Sequence, residues 1–419
     1  MSTVTPPTGS TALIKASLFL NYFVFAILLN CVGVVILQVQ LNFGVSESEA
    51  SVLEGFKDLP IAIASFLLAS FLPKFGLKRA MLTGLLLVAV VCCVMPFATA
   101  FWYFKLLFFV VGVGFALIKV TVFATIGLVT TDQRAHSGFM GKLEGTFMVG
   151  ILLGTLFFSL FVDDQNPESR AWLQVFWYLA ALSLLAAVLL FFAKLDETPA
   201  RLETDTTLSE DFVAMLRLVA VPVVLTFVVS AFLYVLIEQS FQTWTPTFYK
   251  DVLDVPTSMA VQAAAVLAGA LAVGRFAAGF LLERVRWFYV VLGCVVGAAA
   301  MVLLSLPLSA GAVVDASTDW FNAPLVVYLF PLMGVFLAPI YPTINSVILS
   351  TLPNHLHSSM SGLIVVFSAL GGTTGSIITG NLFEYFEGAQ QNAFYASLVP
   401  MGLLLVAVVW FDRLVKRHN

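Results

Sequence analysis

Apolar residues in this chain come in long blocks rather than with a short period. Runs of about twenty or more mostly apolar residues alternate with brief polar interruptions, and a helix needs about 20 such residues to cross a bilayer. Twelve runs qualify, at roughly 14–41, 48–72, 80–98, 102–128, 138–162, 172–194, 217–245, 256–282, 287–307, 323–350, 357–383 and 391–412. Between the sixth and seventh lies one long polar stretch, carrying Asp196, Glu197, Glu203, Asp205, Glu210 and Asp211. The pattern predicts an all-α membrane protein of twelve transmembrane helices in two six-helix bundles, residues 1–194 and 217–419, joined by a linker at 195–216.

Composition agrees. Apolar residues make up 60% of the chain and charged residues 11%, against roughly 25% charged in a soluble domain; mean hydropathy is +1.00. The net charge of −4 is segregated rather than spread, and nothing is basic enough for nucleic acid. Cys31, Cys92, Cys93 and Cys294 all lie inside apolar runs, where they read as small buried residues rather than disulfides or metal ligands. Residues 1–12 lack a basic n-region, so the first run is expected to be a retained span rather than a cleaved signal. No phosphate-cradling loop or paired metal motif is present, and His136, His355, His357 and His418 fall in loops or the tail. The expectation is therefore no enzyme and no cofactor.

Fourteen Lys and Arg residues fall on the side of the termini and linker, among them Lys74, Lys78, Arg79, Arg284 and Arg286. Three, Lys105, Arg170 and Lys250, fall on the other. Positive charge marks the cytoplasmic side, so both termini and the linker are expected there, in a bacterial inner membrane or plasma membrane.

One loop is written twice, half a molecule apart. Residues 69–79 read A-S-F-L-P-K-F-G-L-K-R, and residues 279–286 read G-F-L-L-E-R-V-R. Each ends one apolar run and starts the next. A basic turn repeated at half-length points to a duplicated transporter of two bundles related by pseudo-two-fold symmetry. The copies supply the expected gate or structural residues Lys74, Gly76, Arg79, Gly279, Glu283 and Arg284.

Ionisable side chains inside hydrocarbon cost roughly 2.5–3.5 kcal/mol on insertion scales and mark partners or wet cavities. Seven stand out: Glu54, Lys57, Asp58, Lys119, Glu144, Glu238 and Arg275. Glu54 and Asp58, four apart, share a helix face, and such a pair can carry a proton; alternatively Glu54 and Lys57 form an ion pair holding the second span to a neighbour. Pro60 follows and can bend that helix. Lys119 needs a carboxylate or an anionic solute, and Glu144 is one internal choice. Arg275 and Glu144 are expected to form a gate pair on the cytoplasmic side, or Arg275 to brace the turn after it. In Leu233–Pro246 an apolar helix turns polar at Glu238, Gln239, Gln242 and Trp244 before Pro246 ends or kinks it. Carboxylate, amides and an indole suit a polyol, or an interfacial helix end. Asn30 and Gln38 share a face of the first span, and Tyr341 and Asn345 share one on the tenth, beside Pro339 and Pro342. These pairs either bind solute or bond between helices. Glycines within the spans, such as Gly112, Gly150, Gly274 and Gly375, allow close helix approach, for static packing or for rocking.

The doubled loop resembles the signature of the major facilitator superfamily, G-x-x-x-D-R/K-x-G-R/K-R/K. Gly279, Glu283 and Arg284 match in the second copy, and Lys74, Gly76, Lys78 and Arg79 in the first, with Pro73 standing where the pattern has its acid. The second half is similar to the fucose–galactose–glucose:proton symporter (fucose permease) branch. The matching stretches are Tyr234–Glu238, Gly274–Arg275, Gly334–Ile344, Ser361–Leu363 and Gly371–Gly372. The first half departs from that branch, with no acid in the first span and with Gly112 and Gly114 of the fourth followed by Leu117 and then Lys119 where the branch carries an acid. The proline of the antiporter motif is missing near Gly145, Gly150 and Gly154. The resemblance implies alternating access and proton-coupled uptake of a sugar-like solute. Glu54, Asp58 or Glu238 would carry the proton, and Asn30, Gln38, Lys119, Glu238, Gln239, Gln242, Trp244, Tyr341 and Asn345 would bind solute. An organic anion or siderophore held by Lys119, or proton-driven efflux, are the alternatives. The expected partners are a small solute, protons and the lipid bilayer, with the protein a monomer.

Overall fold

The computed structural model describes residues 8–129, 133–195, 197, 217–312, 314, 318–352 and 356–418. With no water in the bilayer core, backbone N–H and C=O groups must pair within the chain, and helices do this within each crossing. In the first half α1 (Thr8–Asn30) and α2 (Val32–Phe43) form one crossing, followed by α3 (Glu47–Phe75), α4 (Leu77–Val94), α5 (Trp102–Val129), α6 (Gln133–Ser159) and α7 (Val175–Phe192). In the second, α8 (Pro222–Asp251), α9 (Thr257–Leu282) and α10 (Trp287–Ser309) precede a broken crossing of α11 (Leu325–Leu337) and α12 (Ile340–Thr351). Then come α13 (His357–Tyr385), the short α14 (Gln391–Tyr395) and α15 (Leu398–His418). Eleven crossings among the described residues are long and apolar enough to span a membrane. The twelfth, α3, is as long but carries Glu47, Glu49, Glu54, Lys57 and Asp58 in its first half. Most of the linker, residue 196 and residues 198–216, lies outside the described residues, as does His355.

The helices pack as two six-helix bundles. In the first, α1 meets α6 and α7, while α5 meets α3 and α4. In the second, α8 meets α13 and α15, and α11 meets α9 and α10. The bundles touch through α3 with α13, α6 with α9, and α2 with α8. Small residues allow the closest approaches: a Cβ at Gly33 would overlap the Thr243 carbonyl, and one at Gly375 the Leu236 carbonyl.

Both broken crossings are local. Pro339 and Pro342 flank the start of α12. At Cys31 there is no proline; there Asn30 Nδ2 donates to Ala26 O at 2.8 Å and Lys57 Nζ to Leu29 O at 3.2 Å. Pro246 was expected to end or kink its run, yet α8 continues through it to Asp251. Proline removes one ladder bond, leaving the Gln242 carbonyl without its helical donor. This stretch of α8 is packed tightly against Gly33, where a Cβ would also lie 3.2 Å from that carbonyl.

The two copies of the repeated loop anchor differently from the pattern. In the first, Gly76 has φ +95° and offers no side-chain cap to α4. The Glu197 carboxylate, from the far end of the bundle's sequence, accepts from Leu77 N–H at 3.1 Å and Lys78 N–H at 2.8 Å. A carboxylate at a helix N-terminus pairs free N–H groups and opposes the dipole. Lys78 Nζ then donates to the carbonyls of Phe191 and Ala193, at 2.9 and 2.7 Å, at the C-terminal end of α7. In the second copy Arg286 pairs with Asp412 on α15, which Lys416 also holds at 2.7 Å. Glu283 and Arg284 are exposed and form no ion pair among the described residues, as is true of Arg79. Gly279 has open space about it, and the Lys74 side chain lies outside the described set. Among the described residues the latch therefore combines one residue of the pattern, Lys78, with Glu197 and Arg286 from outside it.

Glu197→Ala should destabilise the protein by roughly 1 kcal/mol, the usual cost of losing a helix cap. Thermal unfolding in detergent checks this, with Glu197→Gln expected to fall between the two; equal melting of all three would show that the carboxylate anchors nothing.

Candidate functional site

The most concentrated polar chemistry lies where α3 faces the second bundle. Glu54 is completely buried, at 0% exposure. Its carboxylate accepts from Lys57 Nζ one turn along α3, and across the bundle seam from Gln239 Nε2 at 2.5 Å and Thr243 Oγ1 at 3.2 Å. Lys57 is also buried and lies 3.5 Å from Asp58 Oδ1. Its third contact is the Leu29 carbonyl at the bend of the first crossing. Asp58 lies against Gly372 of α13, where a Cβ would come within 2.5 Å of Oδ2. The cation is thus held by two carboxylates and a carbonyl, and one of those carboxylates is bound by both bundles. Removing one partner of such a buried pair costs roughly 3–5 kcal/mol, because the other charge is left uncompensated.

Further polar contacts across the seam lie around and beyond this network, towards the side opposite the chain termini. Ser376 Oγ donates to Ser51 O at 3.1 Å, and Ser48 N–H to the Glu384 carboxylate at 3.1 Å. Asp164 accepts from Ser258 N–H at 2.7 Å and from its hydroxyl at 2.5 Å. On the terminus side of the network, among the described residues, the hydrogen-bond contact across the seam is Arg275 Nη1 to Met148 Sδ at 3.4 Å. Among the described residues, the polar ties between the bundles gather towards the side opposite the termini.

A cavity abuts the network. Asn30, Glu54, Lys57, Thr155, Gln239 and Gln242 are among its lining, with Ile151, Ala264 and Leu267 as apolar wall. Four residues expected from the sequence, Asn30, Glu54, Gln239 and Gln242, are therefore brought together, from both bundles.

A second cluster occupies the second bundle. Glu238 and Arg275 lie 3.7 Å apart, too far for a hydrogen bond. Tyr341 shares a hydrogen bond with Ser368 at 2.8 Å, and its ring stacks on Tyr234 at 5.5 Å between centroids. Tyr234 Oη, Glu238 Oε1 and Asn345 Oδ1 are buried without a hydrogen-bond partner in the protein. Buried polar groups in native proteins are nearly always paired; here Tyr234 and Gln242 act on the Glu238 carboxyl, and Asn345 on Tyr341, without completing well-formed hydrogen bonds.

Other expected residues stand apart. Trp244 is fully buried, and its indole donates to Ser376 O at 3.1 Å while its ring packs on Phe383. It braces α8 against α13 and does not line the cavity. Gln38 is buried at 1% exposure, away from the cavity lining, with Nε2 unpaired. Lys119 Nζ lies 5.8 Å from the Phe115 ring centre and forms no ion pair among the described residues, though the Glu144 charge reaches it. Arg275 and Glu144 are not paired here: the guanidinium is drawn to Glu238 of its own bundle, and Glu144 is exposed. Tyr234, Thr243 and Met148 were not anticipated. Tyr234 precedes Glu238 by four residues and Thr243 follows Gln239 by four, so helical periodicity could have added both; nothing local marks Met148.

The family model described as Major Facilitator Superfamily matches residues 18–376. No curated protein sequence matches the chain. Among solved structures, a bacterial homolog of the human lysosomal transporter Spinster, inward-facing and occupied, is 16% identical with a TM-score of 0.74, covering 99% of this chain and 98% of that one. The nucleoside transporter NupG is 14% identical, with a TM-score of 0.73 over 96% of this chain and 99% of its own. The E. coli fucose:proton symporter FucP is 18% identical, with a TM-score of 0.61 over 97% and 99%. These likenesses show the fold of two six-helix bundles, and the family match extends over most of the chain. The chain belongs to the major facilitator superfamily.

Proposed function

We propose that this transporter couples the uptake of a small polar, sugar-like solute to protons, working by alternating access. The observation that carries the reading is Glu54, buried at the seam and bound at once by Lys57, Gln239 and Thr243. As a carboxylate it accepts from all three. A proton would remove the charge that balances Lys57 and turn one acceptor oxygen into a donor, so the strength of the seam depends on whether a proton is bound. Asp58, on the other side of Lys57, takes up the cation when Glu54 is neutral. Asn30, Gln239 and Gln242 beneath the network, and Glu238 beside Tyr341 and Asn345, offer the hydrogen bonds a hydroxyl-rich solute needs. The fold likeness to a fucose:proton symporter supports the same direction.

In this reading the halves are residues 1–194 and 217–419, the termini and the linker are cytoplasmic, and the polar ties close the outer side. The protein acts as a monomer in a bacterial inner membrane or plasma membrane. A second reading, transport of an organic anion, is favoured by Lys119, which has no ion-pair partner among the described residues.

Purified protein in proteoliposomes tests the first reading. Uptake from a panel of sugars and organic acids should rise when the outside is made acidic. Glu54→Gln should abolish that dependence, lowering accumulation by roughly 5- to 150-fold if the coupling free energy is of usual size. Gradient-driven accumulation at wild-type level in this variant would sink the assignment. For the second reading, Lys119→Ala should impair an acidic solute far more than a neutral one, and equal impairment of both removes the anion hypothesis.

A further inference from the structure

Arg275 reaches a carboxylate in its own bundle and a methionine in the other. It faces Glu238 at 3.7 Å in its own bundle and touches Met148 Sδ at 3.4 Å in the other. Neither contact saturates a guanidinium, which carries five donors, and Glu238 Oε1 remains without a hydrogen-bond partner. On α6, Glu144 is four residues from Met148 and so on the same face, one turn or about 6 Å towards the terminus side. It is exposed and forms no ion pair among the described residues.

The backbones carrying these groups belong to separate rigid bodies. Gly274, next to Arg275, lies so close to Val335 of α11 that a Cβ would overlap its carbonyl, which fixes that part of α9 to its own bundle. Gly150, two residues from Met148, is packed equally tightly on α1, where a Cβ would come within 2.7 Å of Ala26. When the bundles rock, the backbone at Arg275 must therefore travel relative to α6 while keeping its place relative to the backbone at Glu238, and the long side chain is left to choose its partner.

We propose that Arg275 changes carboxylates during transport. With the bundles tied at the side opposite the termini, as here, it is held loosely by Glu238. When they close on the terminus side, it moves one helical turn along α6, from Met148 to Glu144. Glu238 is then left in the second bundle without its counter-charge, beside Tyr234, and becomes available to the donor groups of a solute in that state only. Arg275 thereby acts as a positioning residue: it sets when Glu238 can bind. The proposal rests on alternating access and not on proton coupling.

The test reads which side is open. In full-length protein in detergent, with the native cysteines replaced, Gly145→Cys provides an exposed reporter on the terminus side of α6 for an impermeant maleimide. Glu144→Gln removes the partner of the closed arrangement and should speed labelling by about fivefold or more, the lower range of conformational coupling. Glu238→Gln, nearly isosteric, removes the partner of the open arrangement and should slow labelling by a similar factor. Because Glu144 is exposed, its variant should fold. Opposite signs support the exchange. The same sign in both, or no change with Glu144→Gln, overturns it and leaves Arg275 as a brace for Glu238. No pH gradient is used, so this outcome is independent of the Glu54→Gln transport assay.

Discussion

A carboxylate with no exposed surface, set in a helix that crosses a membrane, has to be neutralised or matched. In this protein that demand falls on Glu54, and much of the surrounding structure answers it. Lys57 supplies the charge from the next turn of α3. The bend in the first crossing presents the Leu29 carbonyl to the same ammonium. Gln239 and Thr243, one turn apart on α8, reach across the seam, and Gly33 lets α2 and α8 come close enough for them to do so. One ion pair thus takes part both in local stability and in contact between the bundles. A group that stabilises only one arrangement of two rigid bodies is also a group through which that arrangement can be changed.

The uneven distribution of polar ties follows from the same economy of partners. Among the described residues, hydrogen bonds that cross the seam gather towards the side opposite the termini, and inside each bundle tight glycine contacts such as Gly150 on Ala26 and Gly375 on Leu236 bring helices together. Dry, close contacts of this sort hold a bundle as a unit because they have no alternative partners. Polar contacts across the seam can exchange partners, and Arg275, loosely held between Glu238 and Met148, is the plainest case.

Much of this was legible in the sequence. Block hydrophobicity located the crossings, and the cost of intramembrane charge picked out Glu54, Lys57, Asp58, Glu238 and Arg275 before any coordinates. What could not be read was which helix each charge would face. Spacing puts Glu54 and Asp58 on one side of α3 but does not say that Gln239 and Thr243 lie opposite. Trp244 looked like a sugar-stacking residue because its neighbours are polar; burial against α13 made it a strut. Arg275 was expected to pair with Glu144, but Glu238 is nearer in the arrangement described, since both belong to the same bundle. Glu197 was read only as part of an acidic linker, and its role depends on a turn more than a hundred residues earlier in the chain.

That last contact has a consequence for how the polypeptide can be divided. Glu197 belongs by structure to the first bundle, although by composition it belongs to the connector. A break made after it would give a first fragment that retains its own cap on α4 and the Lys78 clasp on α7, and a second that begins with connector alone. A break a few residues earlier would hand the cap to the wrong fragment. For complementation between separately expressed halves, the boundary that respects the fold therefore lies on the far side of Glu197.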